Sequence, residues 1–175
     1  MKHSVIIAVL LTSSTSMLHA QSSTDQSVGT ARALWTQVSS YVTQAAEDMP
    51  EAKYGFKPTP DVRSFGELIA HVAGSQYMFC AVAAGDSARA EDDIEKKKMT
   101  AKADLVAAMR ASNEYCARAY HQTDDASAGK VKLFGQEKTR LYALLNNATH
   151  DAEHYGNLVT YLRLNGMVPP SSKRQ

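Results

Sequence analysis

The chain of 175 residues carries 19 basic and 18 acidic side chains, which gives a formal net charge of +1. This balance provides no long-range attraction to nucleic acid, so we expect no nucleic-acid partner. The length is sufficient for one domain with a buried core, and no stretch is apolar over the roughly 20 residues that a membrane helix needs.

Residues 1–20 have the features of a secretory signal peptide. A basic residue precedes the apolar run Val5–Leu11, and a Ser/Thr-rich stretch leads to Ala20 as the cleavage point. A membrane anchor is the alternative, but this apolar run is too short to cross a bilayer. We therefore expect an exported protein, periplasmic or secreted, that has no membrane attachment after cleavage. A mobile segment over 21–27 and a single folded domain over 28–172 would remain.

The first predicted helix runs from about Val28 to Asp48, and Met49 and Pro50 end it. Its apolar residues recur at the spacing of one helix face, and Trp35 flanks this stripe. The stripe consists of Leu34, Val38, Tyr41, Val42 and Ala45.

The second predicted helix begins at a capping box and ends at a glycine. The Ser64 hydroxyl can accept a hydrogen bond from the backbone N–H of Glu67, whose carboxylate can accept one from the backbone N–H of Ser64. The helix is predicted to run from Ser64 to about Ala84, with Gly85 as its stop. One face has the alternating spacing of three and four residues that is typical of a bundle seam. The seam consists of Leu68, His71, Ser75, Met78 and Val82.

Two further helices complete the pattern. The third is predicted over Thr100–Tyr120, with Thr100 as its cap, and the fourth over Glu137–Asn165, with Gly166 as its stop. Lys130–Phe134 has a briefly extended character, but no alternating strand pattern of useful length is present. The predicted fold class is therefore all-α, a four-helix bundle.

The chain contains two cysteines, Cys80 and Cys116, and export would place them in an oxidising compartment. Each lies 16 residues after the predicted start of its helix, so parallel helices would bring both to the same height. Antiparallel helices would separate them by roughly 18 Å, beyond the reach of a disulfide. We therefore predict a Cys80–Cys116 disulfide between parallel second and third helices, joined by a long crossover. Two buried free thiols are the alternative.

Three histidines are the candidate metal ligands. His150 and His154 are four residues apart, on one face of the fourth helix, and His71 lies on the seam of the second. Three neutral imidazoles can hold a divalent ion and leave coordination positions open for chemistry. Core or surface histidines without a metal are the alternative, because a His-x-x-x-His pair alone is a weak motif. Candidates for supporting contacts around the ligands, or simply for local hydrogen bonds and packing, are Asn147, Asp151 and Tyr155.

Two stretches resemble motifs of the DinB-like (DinB/YfiT) superfamily. Ser64–Tyr77 resembles its second helix, and His150–Arg163, followed by Gly166, resembles its last helix. The similarity extends over about Val28–Ser172. It implies a four-helix bundle with a long crossover between helices 2 and 3, and a bound divalent ion, which would be zinc, nickel or iron. The ligands implied by the resemblance are His71, His150 and His154.

The resemblance leaves three functional hypotheses. The first is a metal-dependent enzyme, similar to a hydrolase, that uses a metal-activated water on an unknown small substrate. The second is a non-catalytic, metal-binding or stress-related protein of the cell envelope. The third is a thiol-dependent S-transferase, although an exported protein would meet few low-molecular-weight thiols. The family also makes a homodimer an expectation to test.

Overall fold

A computed structural model describes residues 26–87 and 93–173 of the chain. The predicted signal peptide and residues 21–25 of the predicted mobile segment lie outside the described residues. Within the described ranges, no helix is both long enough and apolar enough to cross a membrane.

Four long helices form the bundle, which confirms the predicted fold class. In chain order, the elements are α1 (Gln26–Asp48), α2 (Phe65–Ala84), α3 (Lys102–Ala119), the single-turn α4 (Asp124–Ser127), the strands β1 (Lys130–Leu133) and β2 (Gln136–Thr139), and α5 (Arg140–Leu164). Short 3-10 turns lie at Glu51–Lys53, Glu95–Lys97 and Pro170–Ser172. The helix α1 begins two residues earlier than predicted, and it ends at Asp48 as predicted.

The helices α2 and α3 run parallel, as the cysteine spacing predicted. Gly66, near the start of α2, lies against the side chain of Leu105 near the start of α3. Further along, the amide nitrogen of Gln76 donates to the hydroxyl of Ser112 over 3.0 Å. Because the contacts advance together along both helices, the chain must return to the same end of the bundle between α2 and α3, as the predicted crossover requires.

The disulfide between Cys80 and Cys116 continues this series of contacts. The two Cα atoms are 5.2 Å apart, both side chains are fully buried, and the bond is formed. The prediction of a disulfide is confirmed, and the alternative of two free thiols is wrong. The bond fixes the position of α3 along the axis of α2, which is the helix that carries the candidate ligand His71.

Both glycine stops and the capping box are present. The Ser64 hydroxyl accepts from the backbone N–H of Glu67 over 3.2 Å, and the Glu67 carboxylate accepts from the backbone N–H of Ser64. Gly85 and Gly166 have φ angles of +82° and +73°, in the left-handed region that favours glycine. The prediction that Thr100 caps the third helix is wrong, because α3 begins at Lys102 and has no side-chain cap.

The predicted start of the fourth helix at Glu137 is also wrong. Residues 136–139 pair with 130–133 as an antiparallel hairpin, and α5 begins only at Arg140. Thr139 is its N-cap, and its hydroxyl accepts from the backbone N–H of Tyr142 over 3.1 Å. The strands are four residues each, too short for periodicity to distinguish them from a loop.

The buried stripe of α1 differs from the predicted one at its first member. Leu34 is 40% exposed, whereas Trp35 is only 6% exposed and belongs to the core. The indole N–H of Trp35 donates to the side-chain oxygen of Gln76 over 2.7 Å, and its ring stacks on Tyr120. The periodicity of apolar residues does not distinguish Leu34 from Trp35. Trp35 is the buried residue because Gln76 on α2 offers a buried acceptor for its indole N–H.

Candidate metal centre

The three predicted histidines converge on one point between α2 and α5. The Nε2 atom of His150 lies 3.2 Å from Nε2 of His71 and 3.1 Å from Nε2 of His154. Two nitrogens that bind one ion at about 2.0–2.1 Å are separated by about 2.8–3.4 Å, from the 90° angle of octahedral geometry to the wider angle of tetrahedral geometry. The observed separations lie in this range, so the donor set fits a divalent ion.

The triad lies at the border of the core, because His71 and His150 are half-buried and His154 is buried. His154 is 8% exposed and lies at the edge of the core, while the His71 side chain is 18% exposed. The seam predicted on α2 is only partly in the core, because its members after Leu68 are half-buried. These half-buried members are His71, Ser75, Met78 and Val82. The seam therefore borders the candidate site through His71.

Burial keeps two of the imidazoles neutral. Burial, together with the charges of His154 and His71, lowers the pKa of His150 to about 4. Burial, together with the charge of His71, also lowers the pKa of His154. A neutral imidazole has the free lone pair that a metal ligand requires, so the site does not have to lose protons from these two side chains near pH 7.

Glu95 supports His71 from the crossover. One carboxylate oxygen lies 2.8 Å from Nδ1 of His71, and the other accepts from Nε of Arg63 over 2.9 Å. Burial opposes the ionisation of Glu95, but these hydrogen bonds outweigh it and lower the pKa of the carboxyl. A carboxylate at Nδ1 holds the ring proton there and leaves the Nε2 lone pair directed at the centre of the triad. Sequence analysis missed Glu95, since nothing periodic relates it to a histidine 24 residues away.

Asn157 contacts Nδ1 of His154, as Glu95 contacts Nδ1 of His71. Its amide nitrogen lies 3.3 Å from Nδ1 of His154, and rotation of the amide would present the oxygen to a proton on Nδ1. This contact was recoverable from the sequence, because residues three apart on a helix are neighbours. His150 has no such partner in the described part of the chain: its buried Nδ1 lacks a hydrogen bond, and its ring contacts Phe79 instead.

The predicted supporting residues have other contacts. Asn147 is fully buried and donates to the Tyr120 hydroxyl over 3.2 Å. Tyr155 donates to the Ser171 hydroxyl over 2.8 Å, which matches the packing alternative. Asp151 is fully buried, and both of its carboxylate oxygens lack a hydrogen-bond partner among the described residues. Asp151 follows His150 directly, so the helix turns it by about 100° away from that ligand.

The family model of the DinB superfamily matches residues 34–158. The chain therefore belongs to the DinB superfamily. A comparison with curated proteins finds no match.

Solved structures of the same fold include two DinB-like proteins from bacilli. The protein from Bacillus cereus has a TM-score of 0.69 and 15% identity, over 80% of this chain and 93% of that one. YjoA from Bacillus subtilis has a TM-score of 0.65 and 21% identity, over 83% of this chain and 99% of that one. A mycothiol-dependent maleylpyruvate isomerase has a TM-score of 0.61 and 18% identity, over 75% of this chain and 59% of that one. At these identities the likeness concerns the fold.

Proposed function

We propose that this DinB-superfamily protein is a metal-dependent enzyme that hydrolyses a small substrate. The observation that supports the proposal most strongly is the convergence of three Nε2 atoms, with separations of 3.1 and 3.2 Å. The residues that would hold a zinc, nickel or iron ion are His71, His150 and His154. With three protein ligands and open positions, a bound ion would act as a Lewis acid and lower the pKa of water.

Other residues orient two of the imidazoles, and burial keeps two of them neutral. Glu95 and Asn157 contact the Nδ1 atoms of His71 and His154, so they orient two of the three rings. Burial keeps His150 neutral. These features favour a site with free coordination positions, which catalysis needs, over a closed structural site.

Export is the second part of the proposal. It is supported by the features of residues 1–20 and by the buried Cys80–Cys116 disulfide, since structural disulfides are typical of oxidising compartments. A homodimer stays a prediction that the oligomeric state in solution would test.

Thiol-dependent transfer is the second candidate function. It is favoured by one observation, the structural similarity to a mycothiol-dependent isomerase. At 18% identity, that similarity extends to the fold and not to the reaction. The disulfide also favours an oxidising compartment, where small thiols are scarce.

A reconstitution assay tests both candidates. Protein purified without an affinity tag is stripped with a chelator, reloaded separately with zinc, nickel or iron, and assayed on small esters, lactones and amides, with and without a low-molecular-weight thiol. We expect turnover that needs metal but no thiol, and that His154→Ala abolishes. His121→Ala is the matched control, because His121 is an exposed histidine away from the triad. Turnover only with thiol would favour the transferase, and metal binding without turnover would favour a non-catalytic role.

A further inference from the structure

Arg63 lies at the end of the α5 face that carries two of the candidate ligands. Its backbone oxygen accepts a hydrogen bond from the hydroxyl of Tyr161 over 2.6 Å. Tyr161 follows His154 by two helical turns on the same face of α5. The side chain of Arg63 extends back towards the triad, because its Nε donates to Glu95 over 2.9 Å and Glu95 contacts Nδ1 of His71. The backbone and the side chain of Arg63 are thus both held beside the candidate site.

The contacts from Arg63 to His71 form a continuous solvent-exposed surface. The side chains of Arg63, Glu95 and His71 are 45%, 41% and 18% exposed, and each contacts the next. The positive charge of Arg63 also acts on the other two candidate ligands. Burial is the largest cause of the lowered pKa values of His150 and His154, and the charge of Arg63 contributes to both. A small molecule bound at the triad would therefore lie beside the guanidinium.

The guanidinium of Arg63 has hydrogen-bonding capacity that the described residues do not use. Its Nε donates to Glu95, but its terminal nitrogens have no hydrogen-bond partner in the described part of the chain. A guanidinium presents these donors as a planar fork that matches the oxygens of a carboxylate or a phosphate. Because Nε alone holds Glu95, the terminal nitrogens of Arg63 are available for a ligand.

We propose that the terminal nitrogens of Arg63 bind an anionic group of the substrate, a carboxylate or a phosphate, while the reacting part of the substrate lies at the triad. The inference rests on the proposed function, because it assigns the substrate class of the same site. Hydrogen bonds between two charged groups are about twice as strong as neutral ones, so Arg63 would select anionic over neutral substrates. An arginine that only holds Glu95 in place would not discriminate between them.

Three hydroxamates separate the contribution of Arg63 from that of the metal. They share the metal-binding group, and a short methylene chain links it to a carboxylate, a phosphonate or a neutral carboxamide. On the zinc-loaded protein we expect at least one anionic compound to bind about 10-fold more tightly than the carboxamide, and the tighter anion identifies the group. Arg63→Gln should remove most of this preference, and Arg63→Lys, which keeps the charge but not the fork, should retain part of it. Arg110→Gln is the matched control, because Arg110 pairs with Glu47 on the exposed surface, and the preference should persist.

The outcomes distinguish the two proposals. Equal affinities for all three compounds in the wild type, or an anion preference that Arg63→Gln does not reduce, overturn the anion subsite. A protein that binds no zinc overturns the proposed function; the anion subsite is then tested on the metal-free protein by NMR titration with succinate and with inorganic phosphate. A saturable shift of the Arg63 Nε–H signal, larger than that of Arg110, would support the subsite. An Arg63 signal that shifts no more than the Arg110 signal would overturn it.

Discussion

One carboxylate oxygen of Glu95 lies 2.8 Å from Nδ1 of His71, so the crossover between α2 and α3 contributes directly to the candidate metal centre. Ile94, the residue before it, is buried in the main core and anchors the crossover there. Arg63 holds the second oxygen of Glu95. The long connection that parallel helices require therefore also orients one of the three imidazoles.

Removing the negative charge of Glu95 should weaken metal binding. We expect Glu95→Gln to raise the dissociation constant for zinc by about 10- to 100-fold, as substitutions of residues that orient a ligand typically do. Competition with a chromophoric chelator measures this constant. Glu137→Gln is the control, because Glu137 is exposed and pairs with Lys130 on the hairpin. Equal zinc affinity in both variants and the wild type would show that Glu95 does not orient His71 for the metal.

The buried carboxyl of Asp151 should reduce stability as the pH rises. Burial raises its pKa well above 3.8 in the folded protein, so the folded state keeps a proton that the unfolded chain releases. The free energy of unfolding contributed by this group therefore falls as the pH rises from about 4 towards the pKa of the folded state. We expect metal-free Asp151→Asn to melt at a higher temperature than the wild type at pH 7, and the difference to shrink towards pH 4. A lower melting temperature for Asp151→Asn at pH 7 would indicate a stabilising, ionised carboxylate.

The disulfide should contribute substantially to stability. Cys80 and Cys116 are 36 residues apart, and closing a loop of this length in the unfolded chain is worth about 4 kcal/mol. We expect the double variant Cys80→Ala, Cys116→Ala to lose about this much free energy of unfolding in denaturant titrations. The wild type in reductant is the matched control and should lose a similar amount. Wild-type protein whose denaturation midpoint does not respond to complete reduction would contradict the prediction.

Local signals in the sequence predicted much of the fold and the donor set. The capping box at Ser64 and the glycine at 85 mark helix ends through backbone chemistry that no distant residue changes. The equal offsets of Cys80 and Cys116 from their helix starts predicted parallel helices. The spacing of His150 and His154 placed two imidazoles on one helix face.

Features that depend on distant partners could not be predicted in this way. Trp35 is preferred over Leu34 in the core because Gln76 offers an acceptor from another helix. The hairpin depends on pairing between two short strands, and its turn at Phe134 lacks the usual turn residue. Glu95 reaches the triad only because the crossover packs back over α2.

Metal analysis of protein purified without an affinity tag tests the central claim most directly. The wild type and the surface-histidine variant His121→Ala should each contain about one equivalent of a divalent metal per chain. His154→Ala should lose most of this metal while circular dichroism shows unchanged helix content, because His154 lies at the edge of the core. Unchanged metal stoichiometry in His154→Ala would contradict a site built from the three histidines.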